Sequence, residues 1–420
     1  MNAFTVTEGL RRRVLALLFV VAFLNYLDRN VIGILMPAIK RELALSDTEI
    51  GFITGIAYSL FYAVMGVPIA RLADRVPRRN VIAVAMAVWS AMTAACGLAA
   101  NFWQLSLARI MVGVGEAGAT PSSHSLIADL FEKSRRATAL AVYALGSGVA
   151  LLVGLFAAGW ITETLGWRTA VIVIGAPGIL VAILIARALP DPPRGFADGR
   201  APVPQPPFWP TVRLLLSRST FVHNSIGAGL YAAMYFGFLS WLPSFFSRSH
   251  HLGIATIGAW LSGVFGASQI VGTILGGVVG DRLARGDMRW LMWLCSLVTI
   301  SAVPFFFLAF QTSSTALAFF ALVLPILLSV MQSGPQHATT QGVAPPATRA
   351  TASAVYLLIV SLIGGLGPQF IGLLSDALTP SLGEAALGRS ILIVASVCCV
   401  WSAVHFWLAG RRLIEDFARA

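Results

Sequence analysis

The chain has 420 residues, of which 57% are hydrophobic and 11% charged. A water-soluble domain carries roughly 25% charged residues, so this composition excludes a sizeable soluble fold and leaves room for about a dozen apolar spans of roughly 20 residues. A formal net charge of +11 would point to nucleic acid in a soluble protein, but its distribution here points to membrane topology.

In chain order, apolar segments are predicted at 14–39, 50–72, 80–100, 102–128, 137–161, 168–189, 221–246, 256–283, 289–310, 314–336, 349–375 and 388–410. Each is long enough to cross a bilayer as a helix, so the expected fold class is an all-α membrane protein with twelve transmembrane helices. An even number of crossings puts both termini on one side. Of the 29 Lys and Arg residues, 22 fall on that side, from Arg11, Arg12 and Arg13 through Arg75, Arg78 and Arg79 to Arg411, Arg412 and Arg419. Only Lys40, Arg41, Arg168, Arg248 and Arg389 fall opposite, while Arg29 and Arg109 lie inside predicted spans. This positive-inside pattern predicts a multi-pass protein of the inner (plasma) membrane with both termini cytoplasmic, and it leaves no basic surplus for nucleic acid.

No cleavable signal peptide is expected, because the apolar run after Arg11–Arg13 is long and carries charges. Cys96, Cys295, Cys398 and Cys399 all sit within apolar spans without metal-ligand spacing, so no metal and no cofactor are expected. The histidines fall in a loop or near helix ends, where interfacial or hydrogen-bonded roles are the ordinary expectation.

The longest connection, about 190–220, is rich in Pro and Arg and divides the spans six and six. It predicts an N-terminal half, 1–189, a cytoplasmic linker and a C-terminal half, 221–420, able to move relative to each other. An internal echo supports duplication: Gly66-Val-Pro-Ile-Ala-Arg-Leu-Ala-Asp74-Arg75 follows the second span, and Gly276-Gly-Val-Val-Gly-Asp281-Arg282 follows the eighth. Parallel halves of this kind place a ligand site between them near the bilayer midplane.

Charged groups within membrane helices cost several kcal/mol unless they face a cavity or a partner, by estimates of about 2.5–3.5 kcal/mol or more each. Two stretches break the rule: Asn25-Tyr26-Leu27-Asp28-Arg29-Asn30 in the first span, and Arg109 to Glu116 in the fourth. Two acids and two bases sum to zero and can form one neutral cluster. Arg109 and Glu116 are seven residues apart, on one helix face but separated by roughly 10 Å, so a group from another helix, or a ligand, is expected between them. Asp28 and Arg29 project about 100° apart and need different partners. Ion pairing that holds the first helix to the fourth is one reading of these four residues. The other is functional: a carboxylate in a wet, low-dielectric cavity takes up and releases a proton, while a permanently charged arginine releases it when a competing anion arrives. That arrangement couples protons to a substrate.

On these residues the chain resembles the major facilitator superfamily over essentially its whole length. Asp74-Arg75-Val-Pro-Arg78-Arg79 is similar to the superfamily's cytoplasmic signature loop, and Arg109 through Gly118 to its fourth-helix motif. Within the superfamily it resembles the spinster-like lipid transporters, through Asn25-Tyr26-Leu-Asp28-Arg29, Trp89-Ser90, Arg109-x3-Gly113-x-Gly115-Glu116-Ala117 and Asp129-Leu-Phe-Glu-Lys133-x2-Arg136. The resemblance implies two pseudo-symmetric six-helix halves, alternating access, Asp28 and Glu116 as proton carriers, and Arg29 and Arg109 positioning them or an anionic head group. It also implies a cytoplasmic gate of Asp74, Arg75, Arg78 and Asp129. Ala70 and Pro77 stand where the signature loop usually has glycine, which stiffens the turn.

Proton-coupled symporters of sugar acids and similar carboxylates in the same superfamily share the Asn-Tyr-x-Asp-Arg run and the arginine–glutamate spacing, so the coupling residues do not name the substrate. The C-terminal half offers Tyr231, Tyr235, Gln269 and Tyr356 as candidate substrate contacts, amid Phe236, Phe238 and Trp241 and without an acid near mid-membrane. That balance favours an amphipathic anion, such as a lysophospholipid or sphingoid phosphate, over a sugar acid. The expected partners are therefore protons, that substrate and the lipid bilayer, for a monomer. No nucleophile–base set or phosphate-binding glycine loop points to an enzyme, and no appended signalling domain points to a sensor of the same fold.

Overall fold

The computed structural model describes residues 7–73, 75–198 and 207–419. Asp74, one of the expected gate residues, and part of the linker therefore lie outside the described residues. Among those described, eleven helices are long and apolar enough to cross a membrane. In chain order they are α1 Glu8–Leu43, α2 Asp47–Ala73, α3 Arg78–Cys96, α5 Ser134–Leu165, α6 Trp167–Ala188, α7 Ser219–Ser249, α8 Ile254–Ala284, α9 Trp290–Gln311, α10 Thr315–Gly342, α11 Pro346–Leu382 and α12 Ala385–Ala418. The fourth predicted span, α4, is present as two pieces, Phe102–Glu116 and Ala119–Leu130, interrupted at Ala117-Gly118.

Local chemistry sets the ends. The Thr7 hydroxyl accepts the Leu10 amide at 3.2 Å to start α1, and Ala44 ends it in the left-handed conformation. Ser46 and Glu49 form a reciprocal capping box at the start of α2. Between Phe52 and Ile56 that helix widens into a π turn. A short helix, Phe208–Leu216, precedes α7.

Helices α1–α6 and α7–α12 meet along three lines: α1 on α7, α2 on α11, and α5 on α8. The last two are equivalent under exchange of the halves, since α8 occupies the second place and α11 the fifth place in its half. Backbones approach closely there: a Cβ on Gly258 would stand 2.5 Å from the Leu155 carbonyl oxygen, so only glycine fits.

On the face away from the termini the halves are tied by reciprocal contacts. Asp376 on α11 accepts the amides of Asp47 (3.1 Å) and Thr48 (2.7 Å), at the N-terminus of α2. Glu163 on α5 accepts the Ala255 amide at 2.7 Å, at the N-terminus of α8. Each half thus supplies a carboxylate to an orphan helix N-terminus of the other, where the helix dipole favours negative charge. Asp47 adds the strongest tie: Arg248 grips it with two bonds of 2.8 Å, Ser375 Oγ donates at 2.6 Å, and Lys40 also pairs with it. We expect Asp47→Asn to cost about 2 kcal/mol of thermal stability, and Glu163→Gln about 1 kcal/mol, with faster hydrogen exchange at residues 47–50 in the first variant and 254–257 in the second. Unchanged exchange in both variants would contradict a seam held by these carboxylates.

Candidate functional site

The four charged groups of the first and fourth spans converge in the interior of the N-terminal half. Asp28 is 1% exposed, Arg109 2% and Glu116 0%. Arg29 is half-buried at the boundary between halves. Yet no ion pair within 4.0 Å joins any two of these described residues. Both Asp28 carboxylate oxygens, Glu116 Oε1, Arg109 Nε and Asn25 Nδ2 have no protein hydrogen-bond partner. Ion pairs between α1 and α4 therefore do not account for the cluster.

Aromatic rings take the place of carboxylates beside the arginines. The Arg29 guanidinium lies 4.8 Å from the Tyr58 centroid, 5.5 Å from that of Tyr62 and 5.1 Å from that of Phe236. Arg109 lies 5.3 Å from the same Tyr58 ring, and the Tyr58 hydroxyl donates to Glu116 Oε2. Cation–π contacts hold a guanidinium without neutralising it. Tyr58 can sit so close because Gly113 of α4 packs on its backbone; a Cβ there would stand 2.6 Å from the Tyr58 carbonyl oxygen. Tyr58 is the group expected between Arg109 and Glu116, supplied by α2. The sequence offered only the spacing of those two residues as a signal for it.

Two cavities adjoin the cluster. A small one of about 30 Å³, room for a single water, is lined by Arg29, Tyr58, Arg109, Phe236 and Ser240. A larger one of about 300 Å³ lies between α2, α4 and α11 toward the face that carries the termini. Arg71, Arg78 and Arg194 line it on one side, and Ala354, Leu357 and Leu358 on the other.

The other predicted contacts are divided. Tyr26 is exposed and Tyr235 is within electrostatic range of Tyr26 and Arg29, so both stand near the cluster. Tyr356 is held inside the C-terminal half, where its hydroxyl donates to Gln336 Oε1 at 2.9 Å; Gln336 in turn bonds Gln332, and its carbonyl accepts from Asn224. Tyr231 packs between the C-terminal cluster around Phe221 and Phe406 and the cluster that spans both halves, with its hydroxyl unpartnered. Gln269 lies against Gly148 on the α5–α8 line. None of the last three lines either central cavity.

The sequence profile of the Major Facilitator Superfamily matches residues 18–368. The chain belongs to the major facilitator superfamily. It is 34% identical over 405 residues to an MFS-type efflux pump of Mycolicibacterium smegmatis, spanning 95% of this chain and 92% of that one. Protein spinster homolog 1 of Mus musculus is 28% identical over 442 residues, spanning 98% and 83%. A solved structure, a bacterial homologue of the human lysosomal transporter Spinster in an inward-facing, unoccupied conformation, superposes with a TM-score of 0.88 at 29% identity, covering 98% of this chain and 99% of that one. Within the superfamily the chain is a spinster-like, multi-pass membrane transporter, and its all-α fold of two six-helix halves is that of the superfamily.

At the superfamily's signature loop, Arg78 is the centre. It is 2% exposed, pairs with Asp129 and with Asp191 (2.8 Å), and donates to Ser125 Oγ at 3.1 Å. Asp129 also accepts the Gly195 amide at 2.9 Å, so the start of the linker is fastened to α3 and α4. Arg75 is exposed. Asp191 was not singled out from the sequence because it lies in a Pro-rich connection that reads as linker alone. Removing Arg78 leaves two largely buried carboxylates facing each other. Arg78→Ala is expected to cost about 3 kcal/mol, measured by thermal unfolding, and to open residues 191–198 to limited proteolysis. A protected linker in that variant would contradict this anchoring.

Proposed function

We propose that this transporter moves an amphipathic anion, such as a lysophospholipid or sphingoid phosphate, by alternating access coupled to protons. The observation that carries the reading is the pair of arginines, Arg29 and Arg109, faced by aromatic rings rather than carboxylates, with Asp28 and Glu116 buried beside them. An uncompensated guanidinium presents bidentate geometry to a phosphate or carboxylate. A buried carboxylate without an ion-pair partner is stable only when protonated or when a cation approaches, so proton binding and anion binding act on one cluster. The larger cavity supports the amphipathic part, having arginines on one wall and aliphatic side chains on the other.

The positive-inside distribution supports cytoplasmic termini, and we take the protein to work as a monomer in the plasma membrane. On that orientation the tied seam is extracytoplasmic, the larger cavity opens inward, and Asp74, Arg75, Arg78 and Asp129 belong to the cytoplasmic gate. The halves, 1–189 and 221–420, rock about the cluster, joined by the linker. Protonation of Asp28, Glu116 or both selects the favoured state.

Proteoliposomes holding a pH-sensitive dye test this when challenged with lysophospholipids, sphingoid phosphates and sugar acids. A signal with the lipids, at least tenfold weaker in Asp28→Asn and reduced in Glu116→Gln, is the expected result, and its sign separates exchange from co-transport. Signals confined to sugar acids would assign the chain to small organic anions instead. Full coupling in Asp28→Asn would remove that residue as a proton carrier.

A further inference from the structure

We propose that Tyr58 is the positioning residue through which the protonation state of Glu116 reaches the two arginines and, through Arg29, the opposite half of the protein. This rests on the proton-coupled reading above.

The geometry isolates Tyr58 in that role. Glu116 makes no ion pair with Arg29 or Arg109 within 4.0 Å; within 3.5 Å it bonds the Tyr58 hydroxyl, and the Asn25 side-chain amide is the other hydrogen-bonding group beside it. The ring behind that hydroxyl lies within 5.3 Å of both guanidinium carbons. Arg29 in turn lies 5.1 Å from the centroid of Phe236 on α7, a side chain of the other half. A single side chain thus bonds the carboxylate at one end and holds both cations along its ring.

The chemistry follows from what each state of Glu116 accepts. An ionised carboxylate is a strong acceptor and fixes the hydroxyl hydrogen, and with it the ring. A protonated carboxyl is a weaker acceptor when the proton sits on Oε1 and a donor when it sits on Oε2, so uptake of a proton weakens or reverses the phenol's bond. Tyr58's backbone is pinned against Gly113, so the adjustment falls on its side chain. A turn of the ring changes the distance of both guanidiniums together, and so the Arg29–Phe236 contact across the halves.

The titratable and charged groups around this point come from five helices: Tyr26, Asp28 and Arg29 on α1, Tyr58 and Tyr62 on α2, the Cys96 thiol on α3, Arg109 and Glu116 itself on α4, and Tyr235 on α7. Tyr62 stacks on Tyr58 at 5.6 Å but makes no hydrogen bond to Glu116, so the message does not bypass Tyr58.

The distance measurement needs no substrate, and lysophosphatidylglycerol serves as the binding probe. Spin labels at Asn80→Cys and Arg349→Cys, in a chain whose four native cysteines are replaced by alanine, report the separation of the halves on the terminal face as pH is varied. Wild type should switch between two distances, and Glu116→Gln should flatten the switch. Tyr58→Phe, which keeps the ring and loses the hydroxyl, should shift the midpoint by at least half a pH unit and weaken lysophosphatidylglycerol binding less than Tyr58→Leu does. Tyr58→Leu should also lose at least fivefold in that binding. Adding Tyr58→Phe to Glu116→Gln should change nothing further, because the two act in series. A wild-type midpoint in Tyr58→Phe, or additive effects in the double variant, would overturn the proposal. A wild-type protein whose distances ignore pH would overturn the proton-coupled reading itself.

Discussion

Everything in this structure is arranged around one constraint: charge buried in membrane helices must be compensated, and here ion pairing does not do it. Asp28, Arg29, Arg109 and Glu116 sum to zero and lie together, but no two of them pair within 4.0 Å. The guanidiniums are held by the rings of Tyr58, Tyr62 and Phe236, which attract them without cancelling their charge. A cluster of well-formed salt bridges would be more stable and less responsive. Leaving each charge partly unsatisfied makes the energy of the cluster sensitive to any proton or ion that reaches it, the property on which the proposed function rests.

The two halves share a fold but not a chemistry. In the N-terminal half the polar groups are charged and largely unpartnered. In the C-terminal half the chain from Tyr356 through Gln336 to Asn224 and Thr340 is made of neutral amides and hydroxyls, with Asn224 Oδ1 and Gln332 Nε2 left unpartnered. The charge that needs compensation thus lies on the N-terminal side of the boundary, and the C-terminal half meets it with the neutral ring of Phe236.

Much of this was legible in the sequence, and the limits are physical. Hydropathy marks a span wherever about 20 apolar residues run together, so all twelve were placed in order. It does not register a break such as Ala117-Gly118, because two short apolar helices and one long one have the same composition. The charges stood out for being out of place, and the spacing of Arg109 and Glu116 required a group between them. Tyr58 was not identified, since a tyrosine in an apolar helix is ordinary and only the approach at Gly113 makes it central. Asp47, Asp376 and Glu163 lie at helix ends where acids are common, and their reciprocity appears only when the halves are together. Tyr356 and Gln269 were reasonable candidates by residue type, but periodicity does not say which half-buried polar group already has a partner.

The seam on the face away from the termini has to be strong enough to close and weak enough to open. Two states that interconvert differ by a few kcal/mol. A dry apolar seam would exceed that, since burial contributes about 25 cal/mol per Å² and even a modest contact runs to hundreds of Å². The polar ties across the seam here are carboxylates on helix N-termini and on Arg248, whose side chain remains 26% exposed. Water can replace each of them, so each contributes only about 1 kcal/mol net. The opposite face is built from the same kind of bond, Arg78 on Asp129 and Asp191, but wholly within the N-terminal half and the linker it adjoins. Closing that face therefore leaves this anchor intact and needs only new contacts to the C-terminal half, whereas opening the seam breaks existing ones. The polar ties of the seam each have a ready substitute in water, whereas the buried apolar cluster that runs from Ile39, Ile50 and Leu155 to Trp241, Ile257 and Ile371 has none, so that cluster carries the larger cost of opening.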